Sequence, residues 1–381
     1  MPLVSPAPLR QVEEAPRRRR SRGGAALQEL SPEVRTSSRR VAVLLLALLA
    51  AGCETQKPAP SKPGRIVFPP PPADAVIEFV GTFSRAADFG LGQSGLQKIL
   101  LGTEERDAAF IGPSSVAFAG DDGSFYVVDQ RLDAVFIASR TRKEFRVFPG
   151  EGSGKIQKAL AVATGPDGSL FVSDVGAASV FEYGPDLRFR AAYGGPKVFT
   201  RPTGVAVSAD GKRLAVCDTP AHRVQVFSVG DARLLKTIGG TTSGEKEGEF
   251  SSPYAVTFDA KGFLYVADYL NYRIQVFGPE GDFVSAFGKS GDKPGDIGRP
   301  RGLAVDSARG VIYEVDGAFS LVQMFNPDGE PLMWFGTGGS GPAEFSLPTG
   351  IALRGDLIVV ADTVNHRLQL FRFLGIPRAK P

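Results

Sequence analysis

Groups able to do covalent or metal chemistry are scarce in this chain, and their scarcity sets the first limits. Only His222 and His366 occur, each directly before an arginine, Arg223 and Arg367. A three-histidine zinc site cannot be built from two imidazoles, and both are expected to pack in loops. Carboxylates recur more regularly, at Asp129, Asp174, Asp218, Asp268, Asp316 and Asp362. A ring of carboxylates can hold Ca²⁺, yet a residue that returns in every unit usually serves the unit itself. The expected task is to order a turn by accepting backbone N–H bonds, with an arginine five residues on as partner in three units. Cys217 sits inside the apolar run Leu214-Ala-Val-Cys217 and reads as a buried structural thiol. No nucleophile–base constellation or phosphate-binding glycine loop is visible, so no catalytic residue, metal ligand or cofactor is assigned.

The carboxylates belong to an internal repeat. Three close copies run from Pro202-Thr-Gly-Val-Ala-Val to Arg223-Val-Gln-Val-Phe227, from Pro253-Tyr-Ala-Val-Thr-Phe to Arg273-Ile-Gln-Val-Phe277, and from Pro348-Thr-Gly-Ile-Ala-Leu to Arg367-Leu-Gln-Leu-Phe371. A fourth opens at Pro300 and lacks the arginine, and two weaker ones open at Pro113 and Gln157. The mean step between openings is 47 residues. Each unit holds four short alternating runs separated by Asp/Gly or Pro/Gly turns, such as Asp210-Gly211 and Pro279-Glu-Gly281. Period-two alternation with turn residues between runs is the pattern of half-buried strands. Four strands per unit at this period predict an all-β, six-bladed β-propeller. The last unit has no fourth strand of its own, while an unassigned strand, Val76 to Phe83, precedes the first unit. That N-terminal strand is expected to complete the last blade and close the ring, which removes open sheet edges.

The departures from the repeat are where a site is expected. The place after each opening residue is held by Ser114, Lys158, Thr203, Tyr254, Arg301 and Thr349, and the place after each marker Asp by Gln130, Val175, Thr219, Tyr269, Gly317 and Thr363. Both places should ring one mouth of the central channel. Lys158, Tyr254, Tyr269 and Arg301 would give that mouth aromatic and cationic character, and ligand sites commonly combine such groups in a concavity. Glu314 stands in a strand position filled by Val266 in the preceding unit. A carboxylate buried there needs a partner, and Arg299 or Arg301 is the expected one. An insertion between residues 84 and 112 contains Leu96-Gln-Lys-Ile-Leu-Leu101, which reads as a short amphipathic helix packed on the ring.

The Pro-x-Gly opening, the marker Asp and the Arg-x-Gln-x-Phe strand together resemble the NHL repeat, over about residues 75–374. The resemblance implies a closed propeller that offers a broad face to proteins, peptides or glycans. Its alternative implication is a Ca²⁺-dependent, lactonase-like hydrolase or lyase working at the channel mouth. The inner runs, such as Val205-Ala-Val207 and Leu303-Ala-Val305, are small and apolar, which favours binding over catalysis.

Ahead of the repeats lies a leader. Arg39-Arg40 precede the apolar run Val41 to Ala51, which is followed by Gly52-Cys53. Eleven apolar residues are too few to span a bilayer core but fit a secretory signal. Ala50-Ala51-Gly52-Cys53 resembles the lipobox of bacterial lipoproteins, which implies that Cys53 becomes the acylated mature N-terminus. A signal of ordinary length would begin near Val34. Residues 54–74 hold seven prolines and read as an extended tether, unable to pair in a sheet, with a reach of roughly 65 Å. The expected organisation is therefore a signal over residues 1–53, a tether over 54–74 and a propeller over 75–381. Residues 1–53 carry a net charge of +5, which leaves −2 for the remainder. A near-neutral body does not suit nucleic acid. The expectation is a monomer in the cell envelope, on an outer-membrane or cell-surface anchor, with an envelope protein, peptide or glycan as partner.

Overall fold

Each repeat folds because its apolar residues alternate and its turns carry residues that accept positive φ. The computed structural model describes residues 65–91, 108–120 and 123–376. In the third unit, Pro202–Val207, Arg213–Asp218, Arg223–Ser228 and Leu234–Gly239 form one antiparallel sheet in that order. Five such four-stranded sheets and one five-stranded sheet make six blades among the described residues. Within a blade the second and third strands are almost wholly buried, while the fourth is largely exposed. Odd and even positions of the middle strands face opposite neighbours. Ala215 and Cys217 of blade 3 therefore pack with Val256, Val266 and Phe277 of blade 4. The last interface joins blade 6 to blade 1, with Val359, Ala361 and Leu368 against Val116 and Val127. The ring is closed.

The residue before every third strand lies in the left-handed region: Asp133, Ala178, His222, Tyr272, Ser320 and His366 all have φ between 48° and 58°. Backbone geometry rather than side-chain chemistry defines this place, so its occupants vary. Two of them add loop contacts. His222 Nδ1 accepts the Ser252 N–H at 3.1 Å, and His366 Nδ1 lies 2.5 Å from the Ile111 carbonyl.

Closure follows the sequence expectation. Ile77–Phe83 pairs antiparallel with Arg367–Phe373, from Ile77 opposite Phe373 to Phe83 opposite Leu368. Thus the first strand of the body is the fourth strand of the last blade.

The tether departs from expectation at its end. Val67–Phe68 pairs with Ile77 and Glu78 as a fifth strand of blade 6. The Phe68 ring packs 6.2 Å from Phe335 of blade 5, and Arg65 is ion-paired with Glu78. The four residues Arg65-Ile-Val-Phe68 fall between Pro63 and Pro69. With every N–H available there, the segment can join a ladder that the surrounding prolines would forbid. The sheet of blade 6 thus takes in Val67 and Phe68, within the span read as tether.

Blade 2 departs in register. Ala159, not Gln157, stands opposite Asp174, as Pro202 stands opposite Asp218. The described ends of the insertion are packed: Phe89 stacks on Phe83 at 5.3 Å, and Phe110 meets Phe136 edge-on at 5.5 Å. The leader, Cys53 and the expected helix at Leu96 to Leu101 lie outside the described residues.

Candidate functional site

The marker carboxylates are fully buried and face inward to the loops that join blades. Asp268 accepts the Ser251 N–H at 2.7 Å, Asn271 Nδ2 at 2.8 Å and Arg273 Nε at 2.9 Å. The same arginine reaches the Lys246 and Glu249 carbonyls of the preceding loop. Asp362 and Arg367 repeat this arrangement with Ser346, Ser340 and Gly341. In blade 5, where Leu321 replaces the arginine, Asp316 takes the N–H groups of Gly298, Arg299, Ala318 and Phe319 instead. Burial pushes the Asp268 carboxyl up, against the opposing pull of its donors. Each Asp fastens a turn to the loop that enters its own blade. That is the structural task read from the sequence. Among the described residues there is no cluster of three or more metal-ligating side chains.

The channel mouth is built by a shared defect in the ladders. In every blade the pairing between the first two strands breaks just after the opening residue. Such a bulge leaves one residue outside the ladder and re-aims its side chain. The freed residues are Ser114, Leu160, Tyr254 and Arg301, with Thr203-Gly204 and Thr349-Gly350 in the two blades where the break spans two positions. The glycine that follows in three blades is required by close approach. A Cβ on Gly302 would fall 2.2 Å from the Thr349 carbonyl oxygen, and one on Gly204 would fall 2.5 Å from that of Tyr254. Within this ring lies a recess of about 90 Å³, bordered by Ser114, Leu160, Thr203, Tyr254 and Arg301.

Two mouth positions are staples. Thr203 Oγ1 and Thr219 Oγ1 are 2.6 Å apart, and Thr219 then donates to the Pro253 carbonyl of the next blade. Thr349 and Thr363 do the same toward Pro113. Blade 4 carries Tyr254 and Tyr269 at these places, with ring centroids 5.8 Å apart. The Arg301 guanidinium of blade 5 lies over both rings, at 5.3 Å and 5.4 Å, and its Nη2 donates to the Tyr269 hydroxyl at 3.3 Å. Three of the four residues singled out in the sequence thus form one cluster. Lys158 does not join it. The blade 2 register puts Lys158 before the opening residue Ala159, where it is exposed and its N–H bonds Asp174. Leu160 takes the place expected for Lys158 at the recess. It was missed because blade 2 opens without proline or glycine, which left only spacing to fix the register.

Glu314 has no arginine partner, contrary to expectation. It is completely buried, opposite Leu303 and Gln323. Gln323 Nε2 approaches Oε2 at 3.4 Å, while Oε1 has no partner among the described residues. Burial and the nearby Asp316 hold its carboxyl well above the usual range. Arg301 is instead drawn to the tyrosine faces, which leaves it without a carboxylate.

Comparison with known proteins adds a repeat match and a fold. The NHL repeat model matches residues 199–227 and 345–371, the inner part of blades 3 and 6. NHL repeat-containing protein 2 of Gallus gallus is 36% identical over 95 residues, which cover 24% of this chain and 13% of that protein. The match spans only a small part of that relative's own length. An auxiliary nutrient binding protein from Bacteroides thetaiotaomicron superposes with a TM-score of 0.54 at 14% identity, over 71% of each chain. Virginiamycin B lyase from Staphylococcus aureus does so with a TM-score of 0.52 at 13% identity, over 69% of this chain and 96% of the lyase. At these identities the likeness is one of fold.

Proposed function

Because the chain is a six-bladed β-propeller carrying NHL repeats, we propose that it is a lipid-anchored envelope protein that binds a protein, peptide or glycan at its channel mouth. One observation carries this reading: the mouth is where the repeat gives up its own stapling residues, and it does so to assemble Tyr254, Tyr269 and Arg301 around a recess. Aromatic and arginine side chains supply a disproportionate share of interface energy, roughly 2 kcal/mol or more at a hot spot. Catalysis has less support. Among the described residues Arg301 is the one charged residue bordering the recess, and a general acid–base pair or Ca²⁺ site would need carboxylates there.

The test is capture of partner from the native envelope. Tyr254→Ala and Arg301→Ala are expected to weaken capture more than tenfold while the melting temperature moves by a few degrees at most. Lys261→Ala and Glu280→Ala, on the turns of the opposite face, should capture normally. Loss of capture in those controls with retention in the mouth variants reverses the face.

Anchoring rests on the Ala-Ala-Gly-Cys53 run. Mass spectrometry of the mature protein should find an acylated Cys53 and no residue before it. An unmodified peptide spanning Gly52 and Cys53 would end this part of the reading. Several acyl chains are needed for firm retention, since a single one binds membrane only reversibly.

A further inference from the structure

The charge around the mouth is one-sided. Consider the two residues before each opening residue, the one after it, and the two after each marker Asp. These positions contain Arg131, Lys158, Arg201, Arg299 and Arg301, and no acid. The marker carboxylates behind them are buried; Asp218, Asp268 and Asp362 are ion-paired with strand arginines, and Asp129, Asp174 and Asp316 are saturated by backbone N–H groups. The same turns and loops also carry acids farther along the chain from these positions, among them Asp133, Glu151, Glu249, Asp296 and Glu344.

Arg301 is the cation that borders the recess itself. Its guanidinium lies against two adjacent tyrosine rings and bonds one hydroxyl, which orients its fork. Nη2 is engaged by Tyr269, Nε is buried without an acceptor, and no carboxylate among the described residues meets the group. A guanidinium held this way presents donors in the geometry that a planar two-oxygen anion satisfies.

We propose that the mouth recess receives a singly charged carboxylate on a short aliphatic stem, with the carboxylate on Arg301. This rests on the reading of the mouth as the binding face, and names the group that enters it. A single bordering cation suits a monoanion; a phosphate dianion would call for a second. The remaining walls are apolar or weakly polar, including Leu160, Val205 and Leu303, which suits a short stem. The recess, at about 90 Å³, is open to a small group such as propionate. The outer cations, Arg131, Lys158, Arg201 and Arg299, would draw an anionic ligand in without contacting it, an effect that salt screens.

The probe is sodium propionate, with propionamide as neutral isostere and inorganic phosphate as the alternative anion. The full-length protein is labelled with ¹⁵N-arginine, and the Arg301 Nε–H resonance is assigned by its loss in Arg301→Lys. Propionate should shift that resonance saturably, and tenfold more salt should weaken the apparent affinity several-fold. Propionamide should have no effect at equal concentration. Arg301→Lys, which keeps the charge but not the fork, should weaken propionate binding at least tenfold, followed by saturation transfer to the propionate methyl. Tyr269→Phe, which keeps the ring stack, serves as the folded control and should weaken it less. Equal shifts with propionamide would overturn the carboxylate assignment, as would a larger response to phosphate. No response to any probe also overturns it, whereas the binding face itself stands or falls on partner capture by the mouth variants.

Discussion

Deleting residues 75–84 should open the ring and abolish cooperative unfolding. The deleted strand buries Val76, Ile77 and Phe83 almost completely, and Phe79 packs edge-on against Phe371 at 5.6 Å. At about 1.5–3 kcal/mol for each fully buried side chain of this size, the apolar loss alone is roughly 5–8 kcal/mol. Net stability of a folded domain is about 5–15 kcal/mol, so the loss is comparable with the whole. Deletion also bares Arg367–Phe373 as a sheet edge, including Leu368 and Phe371, which are fully buried when the ring is closed. Urea unfolding of the truncated protein should show a broad transition of lowered slope, since less surface is released in a single step. A shorter deletion of residues 65–69 removes the two-residue fifth strand, its Phe68 contact and the exposed Arg65–Glu78 ion pair. It should lower the midpoint modestly and leave the slope unchanged. If the longer deletion melts like the intact protein, the ring is not held by this strand.

The sequence made the ring readable because a propeller repeats its own constraints. Each blade needs a bulge at the mouth, a close approach of inner strands and a fastened turn, and these return as Pro, Gly and Asp at fixed distances. Where a blade meets the same needs with other residues, legibility fails. Ala161 of blade 2 stands where Gly204 and Gly302 stand in other blades, and Ala159 where they have proline, so the register slipped by two and Lys158 was placed on the recess. The end of the tether was hidden for a different reason. Proline density over residues 54–74 outweighs the short proline-free stretch whose Val67 and Phe68 pair with Glu78 and Ile77. Tyr254, Tyr269 and Arg301 were legible as deviations, but not as a cluster. Sequence places Arg301 in a different blade from the two tyrosines, and only the ring's curvature sets it on their faces. Those faces also explain the error over Glu314, whose expected arginine was already engaged.

Replacing Glu314 should stabilise the protein, and the gain should grow with pH. The position two residues before the marker Asp is valine in the other five blades, at Val127, Val172, Val216, Val266 and Val360. The inter-blade layer around it is apolar, with Leu303 and Ile312 nearby in sequence and register. An unsatisfied buried polar group costs about 1–3 kcal/mol even when uncharged, and Glu314 Oε1 is such a group. Its folded-state carboxyl is raised well above its ordinary value near 4.5, chiefly by burial and secondly by Asp316. The linkage sign follows from that direction. Stability from the protonated carboxyl is fully present below about pH 4.5 and is lost as pH rises through the folded value. The unfolded chain releases the proton first, so each pH unit in that window lowers unfolding free energy by up to about 1.4 kcal/mol. Glu314→Val removes both the orphan oxygen and this slope. Denaturation of wild type and variant across pH 4 to 9 should give curves already separated by about 1–3 kcal/mol in acid and increasingly so above pH 5, with the variant the more stable. Glu314→Gln, which keeps the shape and loses only the charge, should follow the variant's pH dependence with a smaller gain. Parallel curves for wild type and both variants would mean that Glu314 does not titrate between the folded and unfolded chains, and that something other than Gln323 satisfies it.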